Sequence, residues 1–142
     1  MLLSTQSSPC ACGSGLAYAQ CCAVAHNNHL AVKTPEQLMR SRYTAFTKGL
    51  VDYLLATHRP PTPIANLDDE RVALLVSVQS RQWVGLEIIE APTPIGSEGF
   101  VEFKAYCVEH GSNQRQCLHE RSRFQRLATQ KGKAWFYIDG VY

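Results

Sequence analysis

The sequence predicts an α+β fold in which helices cover one face of a curved antiparallel sheet. Three observations carry this. Apolar residues recur at helical spacing through residues 34–80, the period changes to two from Arg81 onward, and the links between the later runs are short and rich in turn residues. A chain of 142 residues suits one ordinary domain with a small appendage, and an apolar share of 45% is that of a globular protein.

The first element is the stretch from Cys10 to Cys22, "CACGSGLAYAQCC", which puts four of the six cysteines into thirteen residues. Disulfides suit it poorly: Cys21 and Cys22 are adjacent, Cys10 and Cys12 nearly so, and bridges between such neighbours are strained. Cys-x-Cys also differs from the Cys-x-x-Cys of thioredoxin-like redox sites. A metal clip explains the spacing better. Zinc takes four thiolate or imidazole ligands in a tetrahedron, and Gly13-Ser14-Gly15 lets the backbone turn sharply over an ion. A turn or two of helix after Gly15 would return Cys21 and Cys22 to the same ion. Backbone N–H groups of that turn are the expected donors to the sulfurs. His26 and His29 are alternative ligands, and otherwise solvated imidazoles of a connector over 23–33.

The pattern C-x-C-G-S-G-x-x-Y-x-x-C-C resembles the SEC-C motif through Cys10, Cys12, Gly13, Ser14, Gly15, Tyr18, Cys21 and Cys22. The resemblance implies one structural Zn²⁺ per chain, held by Cys10, Cys12, Cys21 and Cys22. Many SEC-C motifs are lysine-rich between the ligand pairs. Here those positions are Leu16, Ala17, Ala19 and Gln20, and no Asp, Glu, Lys or Arg precedes Lys33. A neutral clip of this kind suits packing against its own domain.

Helix signals follow. Thr34 is an N-cap, Pro35 suits the first helical position, and Gln37 completes a capping box. Met39, Tyr43, Phe46 and Leu50 share a face, with Gly49 breaking or bending the helix. "LVDYLLATH" (50–58) continues helically until Arg59-Pro60-Pro61. A third helix fits 68–80, with Asp68 and Asp69 at its N-terminus and Val72, Leu75, Val76 and Gln79 on one face. Strands are predicted over 83–91, 99–110, 116–128 and 134–142, joined by hairpin-length links.

"LMRSRYTAF" (38–46), "DYLLATH" (52–58), "WVGLEI" (83–88), "LHERSRF" (118–124) and "WFYIDG" (135–140) resemble the YchJ family of small bacterial proteins. That resemblance implies a zinc-binding motif and connector over 1–31, followed by a cone-shaped domain over 32–142, similar to nuclear transport factor two. Cones of this kind serve isomerases, dehydratases and plain binding proteins, so the side chains must decide the function.

Alternation along "LHERSRF" turns Leu118, Glu120, Ser122 and Phe124 inward, and His119, Arg121 and Arg123 outward. Glu120 thus becomes an inward carboxylate, with Arg40 or Arg42 as its expected partner. Tyr43, Trp83, Glu120 and Tyr137 are the candidate pocket residues. His119 reads as a surface histidine, Asp139 as a turn residue, and His58 as a cation at a helix C-terminus. Cys107 and Cys117 are expected to face each other across a hairpin as packed thiols.

No complete catalytic set is placed by these residues. The leading expectation is a non-enzymatic adaptor or ligand-binding module with a structural zinc clip, acting on a protein partner or small ligand. Residues 34–142 are expected to stay folded when the clip is broken. The alternative is a small-molecule enzyme of isomerase, dehydratase or hydrolase type with Glu120 as base. It requires a cavity of roughly 300 Å³ beside Glu120, and a filled cone with Glu120 paired to arginine would exclude it. A net charge of +2 argues against nucleic acid, and no apolar run reaches bilayer-spanning length. The start "MLLSTQSSP" lacks the basic, apolar build of a secretory signal, so the expected compartment is the cytoplasm.

Overall fold

A computed structural model describes residues 8–142. The stretch 1–7, which carries most of the reading against a secretory signal, lies outside the described residues. In chain order the elements are α1 (Cys22–Asn27), α2 (Pro35–Lys48), α3 (Val51–Ala56), α4 (Leu67–Ser80), β1 (Arg81–Glu90), β2 (Glu98–Glu109), β3 (Arg115–Thr129) and β4 (Gly132–Val141). Single 3-10 turns at Tyr18–Gln20 and His29–Ala31 flank α1. This is the α+β architecture that the change of period predicts.

The helix boundaries follow their capping chemistry. Thr34 Oγ1 accepts from the Gln37 amide at 3.1 Å, while Gln37 Oε1 accepts from the Lys33 amide at 2.6 Å. Gly49 ends α2 in the left-handed region, at φ 71°. Asn66 caps α4 by accepting from the amides of Asp68 and Asp69.

The sheet is a meander, β1-β2-β3-β4, with every pairing antiparallel. Its register sets Phe103 against Glu120, Val101 against Ser122, and Ser122 against Gly140. Along β3, Glu120, Ser122 and Phe124 are buried while His119, Arg121 and Arg123 are exposed, as the alternation predicts. α2 packs on β1, β2 and β4. Its Leu38, Met39 and Tyr43 share one core with Val101, Phe103, Phe124 and Trp135, and that same core takes in Cys10, Cys12, Cys22, Ala25 and Val32.

Four sequence expectations are corrected here. The segment 23–33 is more than a connector: it forms most of α1 and the second 3-10 turn, and Ala23, Ala25 and Val32 are buried. The apolar face of α4 is not covered. Val72 and Val76 are each 60% exposed and Leu75 40%, because α4 touches α3 and β1 while α2 already lies across the sheet. Asp139 lies within β4 rather than a turn, and it receives both Nε and Nη2 of Arg123, at 3.0 and 2.9 Å. Cys107 pairs with Gln116 and Cys117 with Tyr106, so the two thiols fall on opposite faces, Cys107 buried and Cys117 exposed.

Candidate functional site

The N-terminal segment closes on itself before it reaches the domain. The Cys10 amide donates to the Leu16 carbonyl at 2.8 Å, and Gly13 and Gly15 take φ of 79° and 88°, which a side chain would strain. The 3-10 turn and the start of α1 then bring Cys21 and Cys22 back. The Sγ atoms of Cys10, Cys12, Cys21 and Cys22 all lie within 4.8 Å of one another. Cys12–Cys21 measures 3.6 Å and Cys21–Cys22 4.0 Å. A tetrahedral Zn–S site with bonds near 2.3 Å needs sulfurs about 3.8 Å apart. Four close cysteines in this arrangement can hold one metal ion.

Side chains supply donors that the sequence reading missed. Ser14 Oγ sits 3.2 Å from Cys21 Sγ, and Thr44 of α2 donates to Cys22 Sγ at 3.3 Å and lies 3.7 Å from Cys10 Sγ. Arg40 donates to the Cys12 carbonyl at 2.7 Å. Hydrogen bonding from Cys22, aided by Ser14, brings the Cys12 thiol down to about 4, whereas burial raises Cys21. Ser14 is a motif residue and was open to this reading; Thr44 sits thirty-four positions from Cys10, beyond local pattern.

His26 and His29 are half-buried and hydrogen-bonded within the fold, and they stand outside the cluster. His26 donates through Nε2 to the Ser41 carbonyl at 2.8 Å, leaving Nδ1 to accept from Tyr18 at 2.7 Å. His29 donates to the Trp135 carbonyl at 2.6 Å. His58, read as a helix-terminal cation, is half-buried against Tyr137 and donates to the Ile138 carbonyl at 3.3 Å. His119 is at the surface, 2.7 Å from Glu102.

Burial pushes the imidazoles of His29 and His58 below their ordinary value. A lowered folded-state value means that their contribution to stability is present above about pH 6.5 and is lost as pH falls through the lowered values. The urea midpoint is therefore expected to drop between about pH 7 and pH 5. His29→Gln, which keeps a donor for Trp135, should reduce that slope. An unchanged slope would contradict the burial account.

The second feature is a cavity of about 290 Å³ between α2 and the inner face of the sheet. Tyr43, Trp83, Glu120 and Tyr137 all line it, together with Arg42, Phe46, Phe103, Ser122 and Phe124. Glu120 is 6% exposed and accepts from the Ser122 hydroxyl. Its expected ion pair does not form. Arg40 instead pairs with Glu36 at 2.9 Å, and Arg42 Nη1 donates to the Leu54 carbonyl at 2.8 Å and to Thr57 Oγ1 at 2.7 Å. The Arg42 guanidinium sits 4.8 Å from the Tyr137 ring centroid, and burial lowers its value to about 10.

Gly140 makes room for Glu120, since a Cβ there would lie 2.5 Å from Glu120 Cδ. Only the folded register reveals that role. Trp83 Nε1 and Arg81 Nε are closed off from solvent without an acceptor among the described residues. A larger open groove, about 930 Å³, lies beside the Pro92–Ile95 loop. Its arginines are already engaged, Arg123 with Asp139 and Arg121 over Phe100, and it lacks a buried charged side chain, so the cavity at Glu120 is the better candidate.

A four-stranded α+β cone with a cysteine-rich clip at its N-terminal side defines a class: a SEC-C motif joined to a domain like nuclear transport factor two. The model described as "YchJ, middle NTF2-like domain" matches residues 34–140, and the SEC-C motif matches residues 7–23. The chain belongs to the YchJ family. A UPF0225 protein of Vibrio parahaemolyticus is 49% identical over 95% of this chain and 75% of its own length. A UPF0225 protein of Serratia proteamaculans is 41% identical over 93% and 82%. Among solved structures, a SEC-C motif containing protein from Rhodopseudomonas palustris superposes with a TM-score of 0.74 at 30% identity, covering 94% of this chain and 98% of that one. A second, from Psychrobacter arcticus, gives 0.72 at 28% identity, covering 98% and 84%. Among the described residues no helix is long and apolar enough to cross a membrane.

Proposed function

We propose that the chain is a zinc-containing ligand-binding module in which the metal is structural. The observation that carries this reading is the convergence of Cys10, Cys12, Cys21 and Cys22 within 4.8 Å, at spacings that suit tetrahedral thiolate coordination. Four protein ligands leave no open position for water, so the ion serves to fasten the clip rather than to activate a substrate. Ser14 and Thr44 supply hydroxyls to the sulfurs, and the cavity at Glu120 supplies the ligand site. Reduced thiols and zinc suit the cytoplasm.

Native mass spectrometry of protein purified in reducing buffer is expected to find one Zn²⁺ per chain. Metal-free protein, or thiols joined pairwise, would overturn the reading.

A second reading, a small-molecule enzyme with Glu120 as base, is favoured by one observation: the cavity is open and Glu120 has no arginine ion pair among the described residues. Turnover of a bound compound that disappears in Glu120→Gln would decide for it.

A further inference from the structure

We propose that the cavity takes a small planar lactam-type heterocycle, which presents an N–H to Glu120 and a carbonyl toward Arg42 and the β1 wall. This rests on the ligand-binding reading above and names its ligand class. Two buried, oppositely charged groups line the same space, Glu120 at 6% and Arg42 at 9% exposure, without forming an ion pair with each other. Each has hydrogen-bonding capacity left. Among the described residues only Nη1 of Arg42 finds acceptors, while Glu120 accepts from Ser122 and has the Tyr142 hydroxyl, also in the lining, beside it, which leaves most of its lone pairs free. Buried charges left in this way call for a partner between them.

Donors outnumber acceptors at the cavity. Arg81 and Trp83 of β1 also line the cavity, and their Nε and Nε1 atoms, set back behind its surface, lack acceptors, whereas Glu120 is the one carboxylate side chain of the lining. The complementary ligand therefore has carbonyl-type acceptors and a single donor for Glu120. Most of the remaining wall is aromatic, including Tyr43, Phe46, Trp83, Phe103, Phe124 and Tyr137, with Met39, Ala105 and Leu118 filling in, which suits a flat ring system. At interior packing density, 290 Å³ holds on the order of a dozen non-hydrogen atoms. Gly140 shows that the carboxylate is built into place: the register opposite Ser122 leaves the space that the Glu120 side chain fills.

The test uses the zinc-loaded full chain and three probes, 2-quinolone, N-methyl-2-quinolone and quinoline. The readout is the Trp83 indole N–H cross-peak by NMR. The Trp135 indole, which donates to the Lys33 carbonyl at 3.2 Å, reports that the fold is intact. 2-Quinolone is expected to shift the Trp83 peak saturably, with the N-methyl compound and quinoline each about tenfold weaker or more. Glu120→Met should weaken 2-quinolone about tenfold or more and leave one zinc per chain. If that variant fails to fold, Gly140→Ala, which presses on Glu120, should produce the same loss.

Equal binding of 2-quinolone and its N-methyl derivative would overturn the inference, as would unchanged binding in whichever of Glu120→Met and Gly140→Ala folds. Saturable binding by quinoline but not 2-quinolone would overturn it too, while leaving the ligand-binding reading intact. If no probe moves the Trp83 peak at roughly 5 mM, both the inference and that reading fall.

Discussion

Serine in place of Cys22 is expected to strip the chain of zinc and lower its melting temperature by about 10 °C or more. Cys22 is 3% exposed, receives the Thr44 hydroxyl at 3.3 Å, and shares a hydrophobic core with Leu38, Phe103 and Trp135. In zinc-finger peptides the metal supplies apparent folding free energy on the order of 10 kcal/mol, and losing one thiolate forfeits much of it. The sequence alone suggests that residues 34–142 would remain folded after such a change. The shared core argues for wider damage, because Cys10, Cys12 and Cys22 are wall material for α2 as well as ligand candidates. Native mass spectrometry and a circular-dichroism melt check both halves. Zinc retained at one per chain, or a melt that does not move, would refute the expectation.

Arg42→Met is expected to cost about 3 kcal/mol or more. The substitution removes the donor to the Leu54 carbonyl and Thr57 hydroxyl, takes a cation off the Tyr137 ring, and withdraws the positive charge closest in role to Glu120. Arg42→Met combined with Glu120→Gln should recover part of the loss, since the carboxylate left without a counter-charge is then neutral. Urea denaturation of both single variants and the double variant measures this. Strict additivity would mean that the two groups do not sense each other across the cavity.

The parts of the fold that are local in sequence were legible in it. Thr34, Pro35 and Gly49 bracket α2 because capping and left-handed backbone are decided within a few residues. The alternation from Leu118 to Phe124 announced which side of β3 is inside, and the cysteine spacing announced a cluster. Information carried by long-range register was not legible. Cys107 and Cys117 looked opposed until pairing set Cys107 against Gln116. Gly140 gave no hint that Glu120 needs its space, and Thr44 none that it reaches two sulfurs. The periodicity of α4 was read correctly as a helix, but the expectation that the helices cover the sheet does not extend to it, because local spacing does not reveal that another helix already occupies the sheet.

His29 and Lys33 grip Trp135 from either side: the imidazole donates to its carbonyl at 2.6 Å, and its indole donates to the Lys33 carbonyl at 3.2 Å. The chain emerges from a ribosome one end first, so the early segment must wait for the last hairpin before these bonds close. During that interval reduced thiols and uncovered aromatic surface are presented to the surrounding solution. On the proposed zinc reading, the cysteine segment is complete before β4 is made and can take its ion ahead of docking, so that ion supply as well as temperature governs how much polypeptide matures.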